Sequence, residues 1–210
     1  MNEHSHQTSP FAARVAELED RLVQRGVLTA QQVEETLETF SQQLGAHNGA
    51  RYVARAWVDP GFREQLLSDA MVVLRQYGTD LRGASNRESP FLRLIAVANT
   101  ATVHNVVVCT LCSCYPVALL GPPPGWYKSY EYRARIVREP RTVLREFGVD
   151  LAHDVEVRVW DSTADCRYLV IPQRPPGTEQ WTEEQLRAVV TRNSLIGTAV
   201  VGPPNPSTAS

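Results

Sequence analysis

Cys109-Thr110-Leu111-Cys112-Ser113-Cys114 places three of the four cysteines of this chain within six residues, directly after the apolar run Val106-Val107-Val108. The run reads as a buried strand, and the cysteines as the turn that ends it. Three soft thiolates on one tight turn form the donor set that a transition metal prefers, with no ligand needed from distant sequence. The thiolate is the ligand, so a bound cation must hold these groups deprotonated. With C-x-x-C-x-C spacing the sulfurs can cap one face of an ion. The chain between them is short enough for backbone amides to approach the same ion.

Spacing alone leaves several readings open. A structural zinc site takes four ligands, commonly as two separated pairs. Here Cys166 stands alone, and His104 and His153 are the plausible additions in the globular region. An iron–sulfur cluster also wants a fourth cysteine. A redox C-x-x-C leaves Cys114 without a role, and a disulfide framework fits neither the cysteine number nor the chain size. Three buried structural cysteines remain the plain alternative to a metal site.

Outward from the turn, Leu92 to Ala98 and Val103 to Val108 are β-rich, and Val155 to Trp160 alternates with period two. Arg167 to Ile171 is expected to be the antiparallel partner of that last strand, across a short turn from Asp161 to Asp165. Pro122 to Gly125 reads as a rigid turn, and Tyr130 to Phe147 as two short helices split at Pro140. Trp181, with the box Thr182-x-x-Gln185, starts a last helix. On the N-terminal side, Phe11 to Val27 forms a helix broken at Gly26. Thr29-x-x-Gln32 caps a second, in which Leu28 staples to Val33 and Val33, Leu37 and Phe40 share a face. A third carries Tyr52, Val53 and Trp57, and Asp59-Pro60 opens a fourth that runs through Leu74. The leading helices have more apolar face than a small domain needs, which favours an arm clasping another subunit over a solvated helical arm.

The fold class is therefore α+β, a helical arm followed by a layered α/β-sheet globular domain. The partition is a disordered N-terminus at 1–10 and a helical arm with partner-contacting helices at 11–82. An α/β domain that carries the cysteine turn follows at 83–202, then a disordered tail at 203–210. Gly83 to Pro90 is a polar loop at the edge of that domain.

A chain of 210 residues with 43% hydrophobic and 21% charged content is an ordinary globular protein with room for a real core. Its formal net charge of −2 carries no footprint for nucleic acid or an anionic membrane. No apolar run is long enough to span a bilayer. Met1 to Pro10 lacks an apolar signal core, so a cytoplasmic location is expected, where unpaired thiols are normal. His4 and His6 read as frayed chain.

Val108-Cys109-Thr110-Leu111-Cys112-Ser113-Cys114-Tyr115-Pro116 resembles the metal-binding signature of nitrile hydratase α subunits. It has the cobalt-type form, with threonine after the first cysteine where the iron type has serine. Pro123 to Lys128, Tyr132-Arg133, Val137 to Arg141, Val159 to Ser162, Pro172 to Pro175 and Gly177-Thr178 also look like family segments. Residues 10 to 200 follow the family's order of elements.

The resemblance implies a low-spin Co(III) ion, less favourably Fe(III). Its ligands are the sulfurs of Cys109, Cys112 and Cys114 and the backbone amides of Ser113 and Cys114, with one position left for water or nitrile. It implies hydration of a nitrile to an amide, with Cys112 oxidised to the sulfinic and Cys114 to the sulfenic acid. Whether a sulfenate oxygen serves as nucleophile or base stays open, and Ser113 either hydrogen-bonds an oxidised sulfur or is a spacer. Cationic donors come from a β subunit in a heterodimer or a tetramer of two such pairs, with a metal-insertion activator protein, since this chain offers no obvious substitute.

Among other positions, Arg167 matches a family arginine near the subunit interface, with a solvent-exposed strand edge as the plain alternative. Trp126 and Tyr127 either wall the pocket or belong to the core. Cys166 reads as a small buried apolar residue and His104 as a strand residue. Arg133, Arg138 and Arg141 either line the interface or solvate helices.

Two departures from the family bear on substrate. Val117-Ala118 stands where cobalt-type enzymes carry a tryptophan, and Ser85 to Pro90 replaces a Gln-Gly-Glu stretch. Both suggest room for a bulky nitrile, as in the branch that hydrates the nucleoside toyocamycin. Thiocyanate hydrolase shares the cysteine signature but carries an arginine at the place of Val117. A non-catalytic, metal-binding structural module is the alternative from another class.

Overall fold

The computed structural model describes residues 10–29, 31–33, 45–81, 92–112 and 114–202. Expectations for Leu37 and Phe40, for the loop at 83–90, for Ser113 and for both termini lie outside the described residues. Residues 1–42 and 43–210 form two compact units.

In the first unit, helix α1 (Pro10–Gln24) ends as expected before Gly26, whose φ of 67° turns the chain. Val15 and Leu18, from its apolar stripe, are exposed. The Thr29–Gln32 capping box forms in both directions, at 2.9 and 3.1 Å.

The second unit begins with α2 (Ala46–Val58), which buries Tyr52, Val53 and Ala56. Gly49 allows α2 to approach its neighbours, since a Cβ there would meet Leu195 Cδ1 at 2.7 Å and the Leu119 carbonyl at 3.0 Å. The single helix expected from Asp59 to Leu74 is instead two, α3 (Pro60–Ser68) and α4 (Ala70–Gln76). Asp59 caps the first through Phe62 N, and Asp69 caps the second through Val72 N. The short carboxylate of Asp69 satisfies a new helix start instead of continuing the old ladder.

Among the described residues four strands follow: β1 (Arg93–Ala98), β2 (Val103–Val108), β3 (Glu156–Asp161) and β4 (Cys166–Ile171). Between β2 and β3 lie α5 (Val117–Leu120), a 3-10 turn (Gly125–Lys128), α6 (Tyr130–Arg135) and α7 (Pro140–Glu146), the last two divided as expected before Pro140. The expected β3–β4 hairpin is not formed. β1 pairs parallel with β4, in register Arg93 to Cys166, and β2 pairs parallel with β3, in register Val103 to Glu156. An antiparallel bridge between Thr163 and Cys166 remains where the chain passes from one sheet to the other. Nearly all of β2 is buried, as is the apolar end of β4, and such strands favour parallel partners covered on both faces. On β3, Glu156 and Arg158 face out and pair with each other at 2.8 Å, the polar side of its alternation.

Helices α3 and α4 cover β1, α9 covers β4 and β2, and α7 lies on β3, so the sheets are held between helices. Trp57 donates to Pro172 O at 2.8 Å and Arg174 to Trp57 O at 3.1 Å, tying α2 to the chain after β4. The box at Thr182 and Gln185 starts α8 (Glu183–Val189). This is not the last helix: a second box, Thr191 with Ser194, starts α9 (Arg192–Ile196). No helix among the described residues is long and apolar enough to cross a membrane.

Candidate metal centre

Strand β2 delivers Cys109 at the end of a fully buried apolar run, and the chain then turns outward. Cys109 is 1% exposed, Cys112 is exposed and Cys114 half-buried, while Leu111 at the tip is 86% exposed. The Sγ atoms of Cys109 and Cys112 lie 3.4 Å apart and those of Cys112 and Cys114 3.1 Å apart, with all three within 4.8 Å of one another. Cys112 N donates to Cys109 Sγ at 3.3 Å, closing the turn.

These distances test which ion the cluster fits. With metal–sulfur bonds of about 2.3 Å, adjacent donors lie about 3.3 Å apart on an octahedron and about 3.8 Å apart on a tetrahedron. The Cys109–Cys112 and Cys112–Cys114 edges match the octahedral value. No His, Cys, Asp or Glu among the described residues joins the three sulfurs, so a closed four-ligand zinc site does not form from them. The thiol of Cys114 is pushed up to about 12 by burial first and then by its hydrogen bond with the Cys112 sulfur, with the Arg167 guanidinium pulling the other way. A cation entering the cluster would hold these sulfurs as thiolates and release their protons.

The turn is pinned from several elements. Tyr132 OH donates to Val107 O at 2.7 Å, and Ser162 N donates to Val108 O at 2.7 Å, extending the β2–β3 ladder. The Asp161 carboxylate accepts from Thr110 N at 2.9 Å and from Thr110 Oγ1 at 2.5 Å. Arg133 Nη1 donates to Thr110 O at 3.2 Å, and Tyr127 OH to Cys114 O at 3.1 Å. Burial raises the phenols of Tyr127 and Tyr132, keeping both as neutral donors. Sequence reasoning missed the part played by Asp161, Ser162, Tyr132 and Arg133. The signal was present, because Tyr132-Arg133 and Val159 to Ser162 are among the segments that carry the family resemblance. Removing the Asp161 acceptor, as in Asp161→Ala, is expected to weaken metal retention about 10–100-fold, read by metal content after chelator challenge.

Other singled-out residues settle as follows. Trp126 and Tyr127 belong to an aromatic core with Tyr115, Tyr132 and Phe147 under the turn. Arg167 does not lie at a solvent edge: it is 6% exposed, and its Nη1 donates to Ala164 O at 3.2 Å, Cys166 O at 3.3 Å and Thr163 O. Arg141 braces the carbonyls of Leu151, Ala152, His153 and Val155 ahead of β3. Cys166 is half-buried at the start of β4, outside the sulfur cluster. His104 and His153 are also outside it, and His104 is a buried residue of β2. Ser113 lies outside the described residues.

An α+β domain in which a buried strand leads into three converging thiols is a scaffold for presenting a sulfur cluster able to hold a metal ion. Residues 9–199 match the family model described as "Nitrile hydratase, alpha chain". The low-molecular weight cobalt-containing nitrile hydratase subunit alpha of Rhodococcus rhodochrous is 50% identical over 199 residues, 95% of this chain and 92% of that one. The gamma subunit of Thiobacillus thioparus thiocyanate hydrolase is 38% identical, over 94% and 82%. Among solved structures, a double mutant of an Fe-type nitrile hydratase from Comamonas testosteroni superposes with TM-score 0.77 at 40% identity, covering 92% of this chain and 91% of that one. The chain belongs to the nitrile hydratase α-chain family.

Proposed function

We propose that this chain is the metal-bearing subunit of a cobalt nitrile hydratase, adding water to a nitrile to give the amide. The observation that carries this reading is the convergence of the Cys109, Cys112 and Cys114 sulfurs, two of whose separations have octahedral length, in a member of this family. Those sulfurs, with the backbone amides of Ser113 and Cys114, hold Co(III) in preference to Fe(III). Thr110 and the cobalt named in several relatives support that choice. When bound, the ion supplies Lewis acidity that polarises a nitrile or lowers the pKa of water.

The chain's own residues then have distinct tasks. Buried Cys109 stays a thiolate. Exposed Cys112 is taken to the sulfinic acid and half-buried Cys114 to the sulfenic acid, an order that agrees with their access to oxidant. Ser113 offers its hydroxyl to an oxidised sulfur. Asp161, Arg133 and Tyr127 keep the turn from relaxing as charge moves through it. A β subunit supplies the cationic donors, in a heterodimer or a pair of them, with an activator protein assisting metal entry. Leu111 beside the cysteines is apolar surface that such a partner covers, and within the first unit Val15 and Leu18 on α1 are exposed in the same way. Maturation in the reducing cytoplasm, where thiols normally stay unpaired, suits such a cluster.

Elemental analysis and peptide mass spectrometry of the co-expressed complex test this. About one cobalt per chain and about three added oxygens on the cysteine peptide are expected, whereas zinc on unmodified cysteines overturns the proposal. Val117, half-buried at the start of α5, has less volume than the family's tryptophan, so the nitrile is bulky, as in a nucleoside nitrile such as toyocamycin. A strong preference for acrylonitrile over a nucleoside nitrile refutes that part. The thiocyanate hydrolase relative supports a second reading, distinguished by its product: carbonyl sulfide in place of an amide.

A further inference from the structure

Behind the strand that delivers Cys109 lies a buried polar network that the proposed chemistry does not use. It contains Asn99, His104, Asn105, Trp160 and the carbonyl of Gly197. Its hydrogen atoms are fixed by groups that have no choice of role. The Trp160 indole N–H, which can only donate, meets Asn105 Oδ1 at 2.8 Å, so Asn105 Nδ2 is the end that donates to Ala98 O at 2.9 Å and to Asn99 Oδ1 at 3.0 Å. Asn105 N donates to the same Asn99 oxygen at 2.8 Å. Asn99 therefore turns its Nδ2 toward His104 Nδ1, at 3.3 Å. On the other side of the ring, the Gly197 carbonyl can only accept, so His104 Nε2 must carry the hydrogen of their 2.7 Å bond.

This arrangement satisfies a neutral imidazole completely and has no place for an imidazolium. A proton on Nδ1 would face the N–H groups of Asn99. Turning the Asn99 amide over would set its NH2 against both donors of Asn105. Nor do nearby charges help. Glu156 and Arg158, on the strand paired with β2, bind each other at the surface. Arg192 of α9 donates to Pro122 O, and Arg167 of β4 to the carbonyls of 163, 164 and 166. Glu156 apart, the described part of β3 that faces His104 offers Val157 in register. Burial lowers the imidazole below its ordinary range, and the Gly197 bond offsets this only in part.

We infer that His104 is a proton-sensitive latch, fastening the Gly197–Thr198 turn after α9 to the metal-bearing strand while neutral and releasing it on acidification. The direction follows from linkage: the opened state binds the proton more readily than the closed one. Closed-state stability is therefore complete above the ordinary histidine range and declines as pH falls through it toward the depressed folded value. Because α9 and Gly197 pack directly on β2, opening removes support from the strand that ends at Cys109.

Hydrogen exchange with mass spectrometry, on the full chain in the assembly in which it is purified, tests the latch between pH 7 and pH 5. After correction for intrinsic exchange, protection of the peptide holding Gly197 and Thr198 is expected to fall by up to about tenfold per pH unit below the histidine range. In His104→Gln, which keeps an amide donor for Gly197 but does not titrate, the profile is expected to be flat. Equal pH dependence in both proteins overturns the inference. If the variant does not assemble, a flat profile for the unaltered protein overturns it equally.

Discussion

Cys109→Ser is expected to leave the chain folded but without its metal, lowering affinity by more than about 10³-fold and activity in proportion. Cys109 is the innermost of the three sulfurs, 1% exposed at the end of β2, and Cys112 N donates to its Sγ. A serine hydroxyl there is a hard, neutral oxygen whose proton the ion must displace at far greater cost than that of a thiol. The two remaining sulfurs, 3.1 Å apart, occupy one edge of the coordination sphere and no longer cap a face. Cys166→Ser is the matched control, because that sulfur lies outside the cluster, and its metal content is expected to stay unchanged. Elemental analysis of both variants, with circular dichroism to confirm folding, checks the contrast. Full metal content in the first variant contradicts the assigned ligand set.

Gly197→Ala is expected to destabilise the chain by about 3 kcal/mol or more. Gly197 ends α9 in the left-handed region, at φ 91° and ψ 10°. A Cβ built there would lie 2.0 Å from Asn105 O and 2.8 Å from Val106 Cα. Both obstacles are backbone of β2, which is paired to β3 and leads into the cysteine turn, so relief requires moving the strand itself. Gly148 and Gly177 supply the comparison. They share the positive φ, at 81° and 77°, but have nothing within 4 Å of the added carbon. Alanine at those two positions carries the conformational penalty alone, about 1 kcal/mol. Thermal or urea denaturation of the three variants separates strain from collision. Equal losses at all three sites contradict the close packing of the α9 turn on β2.

Local signals were read well wherever the chemistry is local. The Thr182–Gln185 box, the Asp59-Pro60 start and the break before Pro140 all depend on groups within four residues of one another, and all form as expected. Failures arose where a short polar side chain could serve either of two structures. Asp69 looks like an ordinary surface position in one amphipathic helix, yet it caps a second. The Thr191–Ser194 box carries a weak sequence signal, because serine replaces the usual Glu or Gln and the helix is only five residues long. Pairing of β3 with β4 failed for a different reason. Alternation identifies a strand and its exposed face, but the partner is selected by which buried surfaces remain uncovered, and β2 and β1 lie far away in sequence.

At the site, the sulfur spacing and the strand that carries it are properties of nine consecutive residues, and the sequence by itself determined them. It also determined the family, because that nine-residue signature and the segments around it are specific. The tertiary structure alone decided what holds the turn in place: Asp161 reaches Thr110 from β3, Tyr132 and Arg133 arrive on α6, and His104 is fastened to a carbonyl 93 residues away. A residue's type reveals which bonds it is able to make, whereas the bond it does make depends on which distant group the fold strips of water beside it.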